Sequence, residues 1–273
     1  MKKIALLLTL VFGITLLTGC EQNTASTNRL ERILADGRIV MATSPDFAPF
    51  IFIDPDLSGQ DAIVGSDAAL ARFIASELGV ELVIESMDFS ASLAAVQTGR
   101  ADMFIGGLAW RADRAEAMML TSAYNPPTYQ GILIPADMYD TLRTASDFDG
   151  LLIGAQNASL QLANVEDQLP NANIQLVTAV SDGVMMLRTG RIDALAMSGA
   201  VGDRYARNYD DVVMSAFHFD LEDGLTGNVI AIPNGSQELF DRVEEILAKV
   251  NNQGLYIEWF IEAEDLSDRL ALD

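Results

Sequence analysis

One seven-residue pattern occurs twice in this chain. Val96-Gln97-Thr98-Gly99-Arg100-Ala101-Asp102 recurs 91 residues later as Leu187-Arg188-Thr189-Gly190-Arg191-Ile192-Asp193. Each copy ends a stretch of helical character, Ser90 to Thr98 and Ser181 to Thr189. A glycine just past a helix takes left-handed backbone at little cost and stops the helix there. A short apolar run follows each copy, Met103 to Ile105 and Ala194 to Met197, of the length of a buried parallel strand. Helix, glycine stop and buried strand, repeated, predict two α/β lobes of similar plan.

Other segments extend that plan. The residue pattern predicts a helix over Arg29 to Asp36 closed by Gly37, then a strand over Ile39 to Thr43. Leu70, Phe73, Ile74 and Leu78 lie at helical spacing within Asp67 to Leu78, with Gly79 as the stop and a strand over Glu81 to Glu85 behind it. Further strands are expected at Gly131 to Ile134, Leu151 to Ala155, Asn173 to Val177 and Val229 to Ile232. Further helices are expected at Leu160 to Gln168, Val201 to Tyr209 and Gln237 to Asn251. Ligands of such lobes sit beyond the C-terminal ends of the strands, near helix N-termini. Two turns stand at such places, Gly106-Gly107-Leu108-Ala109-Trp110 and Gln156-Asn157-Ala158-Ser159.

The N-terminus carries an address. Lys2 and Lys3 precede an apolar run from Ile4 to Leu17, too short to span a hydrocarbon core of about 30 Å and typical of a signal peptide. The run ends in Leu17-Thr18-Gly19-Cys20, which resembles the bacterial lipobox, where the signal is cut before the cysteine and the thiol is acylated. Residues 1–19 are therefore expected to be a signal peptide and residues 20–28 a lipidated polar tether. No later segment has 18 consecutive apolar residues, so the remainder is expected outside the cytoplasmic membrane, anchored by Cys20.

Charge and rare residues exclude several chemistries. Seventeen basic against 39 acidic residues give a net charge of −22, which disfavours a phosphate backbone as partner. Removing the two signal lysines leaves 15 against 39, or −24. One cysteine and one histidine, His218, preclude an intrachain disulfide and a His/Cys zinc cluster. His218 lies between Phe217 and Phe219 with no nucleophile nearby and reads as a packed or surface ring. Asp54-Pro55-Asp56-Leu57-Ser58-Gly59 imitates the start of a calcium loop, but its twelfth position is Gly65 rather than a bidentate glutamate, so a hairpin turn is expected. The pairs Met118-Met119 and Met185-Met186 are expected to pack in helices rather than to bind copper. No metal and no cofactor is expected.

Taken in order, the segments resemble the bacterial extracellular solute-binding proteins of family 3, over about residues 30–260. The matching pieces are Gly37-Arg38-Ile39-Val40, Asp46-Phe47-Ala48-Pro49-Phe50, Ile63-Val64-Gly65-Ser66-Asp67, Thr98-Gly99-Arg100-Ala101-Asp102, Arg114 and Ser122-Ala123-Tyr124. Later come Asp147-Phe148-Asp149-Gly150, Gly154-Ala155-Gln156 and Gly190-Arg191-Ile192-Asp193-Ala194. The resemblance implies a periplasmic-binding-protein-like α/β fold of two lobes joined by two hinge crossings, near 126–131 and 221–227. Lobe 1 would then comprise 29–128 and 226–273, and lobe 2 would comprise 129–225.

The resemblance also implies a site. Arg114 falls where the family's arginine clamps a ligand α-carboxylate through two parallel charge-assisted bonds, which lysine cannot copy. A helix starting near Arg111 would add free N–H groups. The plainer alternative is a surface arginine paired with Asp113 or Glu116. Phe47 falls where a ring stacks on the ligand, while Phe50, Phe52 and Phe89 are expected to serve the core. Gly107 would offer a carbonyl, and Ser159 a hydroxyl and an N–H. Ala109, Trp110 and Arg111 occupy further contact positions but depart from the family's residues there. Ser198 stands where an acid usually neutralises the ligand ammonium, a departure that costs several kcal/mol unless compensated. Asp46, Asp203 or Glu222 could substitute, aromatic rings could supply cation–π attraction, or the ligand could lack an amine.

The expected function is that of a receptor, not an enzyme. A small amino acid or related carboxylate would bind between lobes that close by hinge motion, and a monomer would present it to the membrane permease of an ABC importer. Two alternatives stay open: a periplasmic enzyme on the same scaffold, similar to cyclohexadienyl dehydratase, and a ligand-sensing lipoprotein without a permease.

Overall fold

The computed structural model describes residues 28–221 and 227–270. The signal segment, Cys20, Glu222 and most of the second expected crossing lie outside the described residues. Within them the chain forms two α/β lobes, each built on a five-stranded sheet.

The first sheet assembles in local steps. Asn28 Oδ1 accepts the Glu31 N–H at 2.8 Å and starts α1 (Arg29–Asp36), and Gly37 at φ 67° ends it, as a left-handed C-cap should. There follow β1 (Arg38–Thr43), a small antiparallel sheet of β2 (Asp46–Phe47), β3 (Ile51–Ile53) and β4 (Ile63–Val64), then α2 (Ser66–Leu78) and β5 (Glu81–Ser86). The turn at 54–59 joins antiparallel β3 to β4, as its reading as a hairpin turn requires. α3 (Phe89–Gln97), capped by Asp88 Oδ1 on the Ala91 N–H, leads to β6 (Met103–Phe104), α4 (Ala112–Ala117) and β7 (Met118–Leu120). The strand order is β5-β1-β6-β13-β7, where β13 (Ala231–Pro233) returns from near the C-terminus.

The second sheet repeats the plan. It holds β8 (Gln130–Pro135), β9 (Leu152–Gln156), α5 (Leu160–Gln168), β10 (Asn173–Val177), α6 (Val180–Arg188), β11 (Ala194–Ser198), α7 (Gly199–Asn208) and β12 (Val212–His218). Its order, β10-β9-β11-β8-β12, matches the first sheet position by position. The sequence repeat does the same mechanical work in both. Asp102 accepts the Val40 N–H through Oδ2 at 2.9 Å, and Asp193 accepts the Leu152 N–H through Oδ2 at 2.8 Å. Each backbone N–H of the pair returns a bond, to Val40 O and Leu152 O respectively. Gly99 and Gly190, at φ 72° and 69°, stop the preceding helices.

Two terminal helices complete the first lobe. α8 (Gln237–Gln253) buries Leu239, Val243, Ile246, Leu247 and Val250 along one helical stripe, and α9 (Leu255–Leu270) follows after Gly254. The methionine expectation needs correction. Met118 and Met119 lie on β7, a strand, and Met185 is 47% exposed on α6. Met118 is nonetheless fully buried in the first core. His218, exposed on β12, stacks on Tyr129 at 4.3 Å, the surface ring expected of it.

Candidate functional site

The loops at the C-terminal ends of the strands meet between the lobes and enclose a cavity of about 30 Å³. From the first lobe come Ser44 and Asp46 after β1, Phe47, Phe89 at the start of α3, Gly106 and Gly107 after β6, Ala109 and Arg114. The second lobe supplies Gln130, Gln156, Ser159, Leu160, Gln161 and Ser198, and Asn228 lies just after the return to the first.

Arg114 is the dominant charge. It sits on α4 and is only 5% exposed. Nη1 donates to Ala109 O at 2.7 Å, and Nη2 reaches across the cleft to Ala158 O at 2.9 Å. The guanidinium also stands 5.6 Å from the centre of the Phe89 ring. Burial, with Arg111 adding repulsion, lowers its pKa to about 9, so it stays charged at neutral pH. Among the described residues it makes no ion pair. Asp113, the surface partner the sequence offered as an alternative, binds Arg111 instead, at 2.9 Å. A buried cation whose hydrogen bonds all go to carbonyl oxygens is electrostatically incomplete.

The Ala158 carbonyl is presented by strained backbone. Ala158 has φ 62°, a left-handed conformation that costs a non-glycine residue about 1–2 kcal/mol. Beside it Ser159 caps α5, its Oγ accepting the Leu162 N–H at 3.0 Å, while its own carbonyl accepts Arg111 Nη1 at 3.1 Å.

The floor of the site is fixed from below. Asp67 is fully buried at the start of α2 and accepts the Gly107 N–H at 2.7 Å, Tyr124 OH at 3.0 Å and Tyr256 OH at 2.6 Å. Burial raises its pKa to about 6 against the lowering effect of those three donors. Gly107 at φ 65° has no room for a side chain, because a Cβ there would lie 2.4 Å from the Phe47 ring. Phe47 in turn stacks on Phe50 at 5.4 Å.

A second charge faces the cavity. Asp46 accepts Ser44 Oγ at 2.6 Å through Oδ1, and through Oδ2 it accepts the Val180 N–H at 2.7 Å and Gln156 Nε2 at 3.3 Å. Burial holds its pKa above the ordinary carboxyl value, against the opposing effect of the Ser44 and Val180 bonds. Two further polar atoms of lining residues, Ser198 Oγ and Asn228 Nδ2, are buried with no hydrogen-bond partner among the described residues.

Of the positions the sequence pointed to, Phe47, Gly107, Ala109, Arg114, Ser159 and Ser198 converge on this cavity. Trp110 and Arg111 do not. They line an adjoining, wider groove of about 630 Å³ with Asp113, Asn164 and Asp220, which shares Leu160 with the cavity. Phe50, Phe52 and Phe89 are core residues as expected, and Phe89 also stands beside Arg114 and lines the cavity. Asp203 is engaged by Tyr129 OH at 2.7 Å and does not line the cavity. Sequence reading missed Ser44, Gln130, Leu160, Gln161 and Asn228 as lining residues. Gln130 and Asn228 adjoin the two crossings, and a crossing between lobes necessarily passes the cleft; that was the available signal.

Comparison with known proteins agrees with this fold. A family model described as bacterial extracellular solute-binding proteins, family 3, matches residues 39–260. The arginine-binding extracellular protein ArtP of Bacillus subtilis is 24% identical over 266 residues, spanning 95% of this chain and 98% of that one. Among solved structures, an amino acid ABC transporter substrate-binding protein from Streptococcus pneumoniae bound to L-arginine superposes with a TM-score of 0.81 at 29% identity, covering 86% of this chain and 97% of that one. An ancestral amino-acid-binding protein described as a precursor of cyclohexadienyl dehydratase shares the fold, with a TM-score of 0.75 at 24% identity, covering 85% and 98%.

Proposed function

The chain belongs to the bacterial extracellular solute-binding proteins of family 3, and from that premise we propose that it is the lipid-anchored receptor of an ABC importer, closing two lobes over a small amino acid or related carboxylate. The observation that carries the reading is Arg114. Its buried guanidinium faces the cavity with two carbonyl partners and no carboxylate among the described residues. A ligand carboxylate entering there would take the place of the Ala158 carbonyl and accept two parallel charge-assisted bonds. Ser198 Oγ and Asn228 Nδ2 offer the same ligand hydrogen bonds that would relieve their own burial cost.

The relatives support an amino-acid-like solute, since both ArtP and the pneumococcal protein are described as binding arginine or bound to it. Which solute this cleft takes is a separate question, because Ser198 replaces the acid that the family resemblance implies. The reading as receptor rather than enzyme rests on the acids of the site. Asp46 already accepts three donors, and Asp67 lies beneath the floor accepting three more. Lipid anchoring rests on Leu17-Thr18-Gly19-Cys20 and the basic and apolar segments before it.

The test is a thermal-unfolding screen against the amino acids and small carboxylates. A ligand at a hundred times its Kd adds about 2.7 kcal/mol of stability. At least one member of the panel is expected to do so and to be recovered intact by mass spectrometry. Recovery of a converted product would favour the enzyme reading, and no stabilisation by any member would refute the receptor reading.

A further inference from the structure

Helix α6 of the second lobe begins without a cap of its own. Its N-cap position is Ala179, which offers no side-chain acceptor. The first helical N–H, that of Val180, is nevertheless satisfied by Asp46 Oδ2 at 2.7 Å, from β2 of the first lobe and 134 residues away in sequence. Asp46 is held in place for this contact. Ser44 Oγ donates to its other oxygen at 2.6 Å. Gln156 Nε2 lies within reach of both Asp46 Oδ2, at 3.3 Å, and Thr178 O, at 3.1 Å, and so ties the carboxylate to the turn that precedes α6.

We propose that Asp46 is a positioning residue for closure, capping α6 from the opposite lobe and so stabilising only the arrangement in which the lobes meet. A carboxylate at a helix N-terminus gains both from the free N–H and from the helix dipole. Most caps belong to the chain segment beside the helix and are made in every state of the protein. This one spans the cleft, so its free energy exists only in the closed state and shifts the equilibrium toward it. Asp46 is thereby a different kind of acid from an ammonium partner, since Oδ2 is committed to the second lobe and Oδ1 to Ser44. The inference rests on the reading of the protein as a receptor whose lobes close.

A two-ended test is available because Val180 is the first residue of its helix. Proline is well accommodated there, and Ala179, at φ −115° and ψ 145°, has the extended backbone that a residue before proline prefers. Val180→Pro therefore removes the donor, Asp46→Asn removes the charge of the acceptor, and Val180→Ala controls for the lost side chain. The distance between spin labels at Ser58 and Glu166, exposed on opposite lobes, reports closure in the full chain carrying Cys20→Ser. With no solute added, Val180→Ala should keep the wild-type distance distribution. Asp46→Asn and Val180→Pro should both move population to the same second distance, by about threefold or more, and the double variant should move it no further. If Val180→Pro fails to fold, Asp46→Asn against wild type carries the test. An unchanged distribution in Asp46→Asn, or additive shifts in the double variant, would overturn the proposal. Because no solute is present, a failed solute screen cannot imitate a failed latch.

Discussion

At the scale of single residues, the site is organised by groups whose burial exceeds their charge compensation. Arg114 and Asp67 are two of them. Asp67 never reaches the cavity, yet it sets the height of the Gly107 loop and joins two tyrosines of distant segments to it. Its pKa of about 6, against 3.8 for the ordinary group, makes a stability statement. Between those values the folded protein holds a proton that the unfolded chain has lost. Stability from this group therefore falls as pH rises through about 4 to 6, by roughly 3 kcal/mol in all. Chemical denaturation across that range should show wild type losing stability with rising pH relative to Asp67→Asn, in which the slope is absent. Parallel curves would place the proton elsewhere. Arg114 was legible in the sequence through its position after Gly106-Gly107 and before Ser122-Ala123-Tyr124. Asp67 was legible only as part of a helix start, because its partners Tyr124 and Tyr256 lie 57 and 189 residues away.

At the scale of elements, the repeat was the most legible feature, because glycine stops and the Asp102 and Asp193 bonds are local in sequence or act on the nearest strand. Of β2, β3 and β4 only the turn at 54–59 was legible, since strands of two or three residues leave no period to read. α9 was missed for a different reason. Its apolar residues serve several surfaces at once and form no single stripe. Trp259 packs on Phe73 of α2, Phe260 on Phe50, and Ile257 and Ile261 are exposed. Its last turns stay packed on the small sheet of the first lobe through Ala263, Leu266 and Leu270, and also reach α7 of the second. Arg204 Nη2 donates to the carbonyl of fully buried Ser267, and Arg207 pairs with Glu264 and Asp268 at 3.5 Å each. Those two pairs are half exposed and contribute little, so the contact depends on the buried bond at Ser267. Ser267→Arg should cost about 1–3 kcal/mol by overpacking, and amide exchange should quicken in α7 more than in α2. Equal changes in both helices would mean that the end of α9 serves the first lobe alone.

At the scale of the whole molecule, two sheets of the same strand order face each other across one cleft, and the charges inside it are arranged for contact between lobes. Arg114 and Arg111 reach from the first lobe to the carbonyls of Ala158 and Ser159, and Asp46 reaches to the N-terminus of α6. The net charge of −22 has no counterpart in this pattern. It disfavours nucleic acid as a partner and is screened within about 8 Å at physiological salt, so it does not select the solute. The central claim is that a solute carboxylate completes Arg114 between the closing lobes. It is tested most directly by titrating the best-stabilising solute of the screen into wild type and Arg114→Ala by calorimetry. The account predicts at least a hundredfold weaker binding in Arg114→Ala, about 2.7 kcal/mol, with the unliganded fold retained. Equal affinity in the two proteins would contradict it.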